Sequence, residues 1–189
     1  VGGLLAIFIA PPIGSFANEF GKLIMWATTQ HPFVMGIIVS VIVGILLTLP
    51  VSSAAICASI GLTGLAGGAA VAGCCAQMVG FACASFRENK VGGLVAQGLG
   101  TSMLQIGNIM KNPRIWIAPT LASAITGPIS TMVFKMEMNG PAISSGMGTC
   151  GMVGPIGVWQ GWVSTGYSAT WFDWLGLLLI CIVLPAVLT

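Results

Sequence analysis

Charge is what this sequence has least of. Among 189 residues there are six Lys or Arg, four Asp or Glu and a single His, so charged side chains make up 5% of the chain. A soluble domain usually carries about 25%. A globule in water needs a wet surface, and so few charges cannot cover one. With a mean hydropathy of +1.01, the solvent expected for most of this surface is lipid. The net charge of +2 comes without a basic stripe, which excludes nucleic acid as a partner.

The machinery of soluble enzymes is missing as well. There is no G-x-G-x-x-G in a βαβ setting, no G-x-x-x-x-G-K-[ST] and no G-x-S-x-G. The lone His31 has nothing to position it in a triad, so no catalytic residue and no cofactor is expected. None of the six cysteines forms a C-x-x-C pair, and all read as small hydrophobes. Cys74, Cys75, Met78 and Cys83 lack a histidine to complete a metal set, so no metal site is expected. Residues 1–10 have neither a charged n-region nor a cleavage site and do not read as a signal peptide. The chain opens and closes inside apolar runs. It therefore reads as one transmembrane domain, 1–189, belonging to a longer polytopic chain.

What is present is a series of apolar runs. Crossing a bilayer takes about 20 of them in a row. Residues 32–49, 63–86, 115–134 and 172–189 qualify, giving an expected all-α, polytopic transmembrane helical bundle with re-entrant or broken segments. Residues 1–10 are half a span, stopped by Pro11 and Pro12. Residues 13–30 are amphipathic, interrupted by Asn18, Glu19 and Lys22. Gly67, Gly68, Ala69, Ala72 and Gly73 would let a neighbouring helix approach closely. Residues 91–110 carry Gln97, Thr101, Ser102, Gln105 and Asn108 between two basic loops, Arg87 to Lys90 and Lys111 to Arg114. The positive-inside rule favours both loops on the cytoplasmic side, with 91–110 lying in the plane or re-entering. On that basis 32–49 and 115–134 run outward, and 63–86 and 172–189 run inward. Trp159, Trp162, Trp171 and Trp174 then mark the outer interface.

One segment breaks the pattern: KMEMNGPAISSGMGTCGMVGPIG, residues 135–157. Non-helical backbone cannot face lipid, because its N–H and C=O groups would go unpaired. The segment is thus an external loop or a re-entrant one. Its apolar content, with little charge, favours the re-entrant reading. A carboxylate within the membrane is costly and marks function. Glu137, with Lys135 or a proton as its expected neutraliser, joins Asn139, Ser144, Ser145 and Thr149 in a mixed donor and acceptor set suited to a sugar or polyol. PVSSAAIC, from Pro50, resembles PAISSGMGTC, from Pro141. As a weak internal repeat it adds Ser52 and Ser53 to the candidate site. His31 is a further candidate, able to donate to a solute or a phosphate. Gln77, Gln105, Asn108 and Gln160 are amides that either line a path or bond between helices.

Three runs carry a family likeness: LPVSSAAICASIGLTGLAGGAAVAGCCAQMVGF, RENKVGGLVAQGLGTSMLQIGNIMKNPRIWIAPTLASAITGP and FKMEMNGPAISSGMGTCGMVGPIG. They resemble the phosphotransferase-system EIIC-like membrane proteins of the second type, also described as perfringolysin- or toxin-regulator-like. The resemblance implies a multi-pass protein of the bacterial plasma membrane, surrounded by lipid. It implies a homodimer that binds a sugar beside a re-entrant hairpin and carries it by alternating access. It also implies EIIB and EIIA partners that deliver phosphate, since this chain holds neither a phospho-cysteine loop nor a phospho-histidine domain. A glutamate and a histidine commonly contact the sugar in such proteins; Glu137 matches the glutamate by motif type, and His31 lacks a shared motif. The alternatives are a membrane regulator or sensor without transport, and an ion channel or transporter.

Overall fold

The computed structural model describes residues 15, 19, 22–24, 26–28 and 31–189. The expected half-span over residues 1–10, and Asn18 in the amphipathic segment, lie outside the described residues. The described chain is all-α. Its one isolated β-type pairing among those residues is a bridge between Gly64 and Met138, with both N–H···O distances at 2.9 Å.

The first long helix, α1, runs Pro32–Thr48 with its proline at the first turn, where the missing N–H has no helical partner to lose. A short α2, Ser53–Ser59, leads to α3, Gly64–Ala84. Helix α3 is the axis of the molecule, with most of its residues buried. Its glycines are poor helix formers, so packing rather than propensity holds it. A Cβ at Gly73 would overlap the carbonyl of Ser40, and one at Gly68 would overlap that of Met136. Two backbones thus touch α3 directly, as the small-residue run predicts.

The pairing registers set the directions. Ser40 faces Gly73, the Cys74 thiol reaches Val43 O at 3.8 Å, and Thr48 Oγ1 donates to Gln77 Oε1 at 3.4 Å. The numbers rise together, so α1 and α3 run parallel. This corrects the expectation that residues 32–49 and 63–86 run in opposite senses. The reason is residues 49–63: they travel back along the bundle and return the chain to the end where α1 began.

Past α3 the chain forms a first hairpin. Helix α4, Phe86–Val95, is kinked at Lys90 and passes into π-helical Ala96–Gly100. The backbone is extended at Thr101, then turns through 3-10 Ser102–Gln105 into α5, Ile106–Lys111. Gln97 Nε2 donates to Ser85 Oγ at 3.0 Å and Gln105 Nε2 to Gln97 Oε1 at 2.9 Å, while Ser102 Oγ lies 3.0 Å from Thr48 Oγ1. Both limbs therefore sit at the Ala84 end, and residues 91–110 do not cross the bundle. Helix α6, Ile117–Pro128, continues as π-helical Ile129–Val133. It runs antiparallel to α1 and α3: Pro119 lies by Gly80, and Gly127 lies by Gly36 and Ser40.

Residues 135–165 make the second hairpin, entering from the opposite end. The chain pairs with Gly64 at Met138 and descends through 3-10 Ala142–Gly146. It reverses where Gly148, Gly151 and Met152 all take left-handed φ of 53°, 52° and 59°. Helix α7, Val153–Thr165, then climbs back, with Gly157 against Ser144 and Gly161 against Asn139. The last helix, α8, Trp171–Leu188, runs parallel to α3 on the outside, only 28% buried. Among the described residues, α3 and α8 are the helices long and apolar enough to cross a membrane.

The hairpins meet inside the bundle. Thr149 Oγ1, at the turn of the second, donates to Gly98 O of the first at 2.5 Å. Beside them is the fully buried Gln77. Its Nε2 donates to Thr120 Oγ1 at 3.3 Å and Ser123 Oγ at 3.4 Å, and its Oε1 accepts from Trp116 Nε1 at 3.2 Å.

Candidate functional site

Of the residues singled out in the sequence, Glu137 and Asn139 share one cleft of about 700 Å³ at the Gly64 end of the second hairpin. The strand-like backbone where Met138 bridges to Gly64 presents them, because alternate side chains of an extended chain point the same way. Met136 and Met138, which alternate with them, are buried. Asn139 Nδ2 donates to Glu137 Oε2 at 3.0 Å. The expected ion pair with Lys135 does not form; Lys135 lines the same cleft with a left-handed φ of 44°. Phe134, Trp162, Tyr167 and Phe172 form the walls. Phe134 stacks on Phe172 at 4.9 Å, and Trp162 meets Trp174 edge-on at 5.3 Å.

Asp173, also in the cleft, was not found from the sequence. Its Oδ2 accepts from Thr170 N at 2.8 Å, Thr170 Oγ1 at 2.7 Å and Tyr167 Oη at 3.1 Å. The signal was there: Thr170-x-x-Asp173 has the spacing of a capping box opening α8. The hydrogen bond to Asp173, then its charge, push the Tyr167 phenol above its usual range. Tyr167 thus stays a neutral donor with its ring fixed in the wall.

The remaining candidates are elsewhere. Ser53 Oγ donates to Gly146 O at 2.7 Å, and Ser145 Oγ to Leu62 O at 2.5 Å. Ser144 is buried against Gly157. Ser53, Ser145 and Thr149 thus fasten the hairpin to residues 50–62 and to the first hairpin. The two repeat-like segments therefore do meet, though the helices before them run in opposite directions. Ser52 is exposed and caps α2, accepting from Ala55 N at 3.2 Å. His31 is exposed at the start of α1 and does not line the cleft. Gln105 and Asn108 bond within the first hairpin, and Gln160 is exposed.

The cleft thus sets a carboxylate and an amide side by side, offering hydrogen-bond acceptors and donors beside apolar ring faces. Comparison with protein families matches residues 1–189 to the family described as "Phosphotransferase system, EIIC". The chain belongs to that family. EIIC proteins are the membrane components of the phosphotransferase system, and the family in general implies a sugar substrate with EIIA and EIIB partners. No curated protein and no solved structure matches the chain.

Proposed function

We propose that this EIIC chain binds a sugar or polyol in the Glu137–Asn139 cleft and passes it inward between the two hairpins. The observation that carries this reading is the Glu137–Asn139 pair, joined at 3.0 Å in a cleft walled by aromatic rings. The pair offers oxygen acceptors and amide donors to adjacent hydroxyls, and the aromatic rings take the C–H faces of the ring. Glycine-broken segments that line a path are also what transporter sites are made of.

In this reading the second hairpin is a re-entrant element dipping from the outer face, and residues 86–111 dip from the inner face in a multi-pass protein. Their junction at Thr149 and Gly98 closes the path, and alternating access opens it from one side at a time. The sugar is phosphorylated on the inner face by EIIB, supplied by EIIA.

A thermal-shift screen of the purified full-length protein against unphosphorylated sugars and polyols tests the reading. A ligand that binds only the folded state raises the Tm with concentration. The expected result is a hit that Glu137→Gln loses while keeping the unliganded Tm. A stable sample with no hit across the panel would contradict it.

A further inference from the structure

A second cavity lies on the far side of the molecule from the cleft. It holds about 380 Å³ between α3, the first hairpin, the turn of the second hairpin and α8. Ala82, Cys83, Leu94, Leu99, Met152 and Ile182 line it, and its nearest polar side chain, Thr149, already donates to Gly98 O. A sugar would find no partner there and would leave its hydroxyls unpaired. The crevice suits an unbranched apolar chain instead.

Its charged surroundings indicate which one. Arg87 stands four residues beyond Cys83, and Lys90 four residues before Leu94. Both are exposed, and neither is ion-paired among the described residues. Lys90 also holds a φ of 50°, a conformation rare outside glycine. Non-glycine residues persist in such conformations where their surroundings demand it. Here the kink at Lys90 turns the chain so that the next residues, Leu94 to Leu99, wall the crevice. An apolar slot, walled in part by the chain segment that carries Arg87, Glu88 and Lys90 and so a net positive charge, matches one acyl chain and the phosphate of an anionic lipid.

We propose that this crevice binds an anionic phospholipid, with an acyl chain against Leu94, Leu99 and Ile182 and the headgroup on Arg87 and Lys90. The chain end would then rest beside Thr149 and Gly98, where the two hairpins meet. The proposal needs the membrane but not the sugar reading, so the two can fail separately.

Cys83 is a built-in reporter. Cys57, Cys74, Cys75 and Cys181 are buried, and Cys150→Ser removes the other half-exposed thiol. The full-length protein would be purified in an uncharged detergent, and alkylation of Cys83 by N-ethylmaleimide timed with added phosphatidylglycerol or phosphatidylcholine. Phosphatidylglycerol is expected to slow alkylation, and Arg87→Gln and Lys90→Gln to weaken that protection by roughly fivefold each. Leu99→Trp, which fills the slot, is expected to remove the lipid effect altogether. Equal protection by both lipids, no protection by either, or protection that survives Leu99→Trp would each overturn the proposal.

Discussion

Glu137 and Asn139 were legible in the sequence because charge and amides are rare in it, so each one carries information. The hydroxyls beside them were not. Ser53, Ser145 and Thr149 offer the same chemistry on paper, but their targets are carbonyls of Gly146, Leu62 and Gly98, far away in the chain. Only the fold decides whether a hydroxyl meets solute or backbone. Two predictions belong at this scale. Gln77→Leu removes, from a fully buried position, the hydrogen bonds to Thr48, Trp116, Thr120 and Ser123. It should cost about 1–3 kcal/mol, read as a lower midpoint in chemical denaturation. Gly73→Ala drives a methyl into the Ser40 carbonyl, and overpacking of this kind costs about 1–3 kcal/mol. An unchanged Tm in that variant would mean that α1 and α3 are less tightly apposed than described.

Among the elements, the apolar runs marked α1, α3 and α8 to within a few residues, since length and hydropathy are properties of the run itself. Direction was harder to read. Alternating spans give opposite senses to α1 and α3, and that rule cannot see residues 49–63 carrying the chain back between them. The two hairpins were visible as glycine-broken, polar-dotted stretches, but their meeting inside the bundle was not. That contact depends on Gly148, Gly151 and Met152 taking left-handed φ, which aims Thr149 at Gly98. Thr149→Val keeps the shape of the side chain and removes the hydrogen bond. It should loosen the junction and speed alkylation of the neighbouring Cys150 several-fold. An unchanged rate would show that packing alone, without this bond, holds the turns together.

On the scale of the whole molecule, the bundle has two unlike ends. Lys90 and Lys111 flank the hairpin at the Ala84 end, while Lys135 and the tryptophans of α7 and α8 gather at the Gly64 end. By the positive-inside rule we propose that the first end faces the cytoplasm. Single-cysteine variants at Lys90 and Lys111 should therefore react with an impermeant maleimide from the inner face, and one at Lys135 from the outer. Labelling of Lys90 and Lys135 from one face would refute this arrangement. We propose that the Glu137–Asn139 cleft, and not the buried hydroxyls below it, holds the sugar. Its most direct test is a titration of the sugar found by screening, followed by the fluorescence of Trp162 in the cleft wall. Glu137→Gln exchanges a charged acceptor for a neutral one and should raise Kd roughly tenfold or more. Ser145→Ala should lower the Tm and leave Kd within about twofold of wild type, because Ser145 spends its hydrogen bond on Leu62. The reverse pattern, with affinity lost in Ser145→Ala and kept in Glu137→Gln, would move the site down into the hairpin.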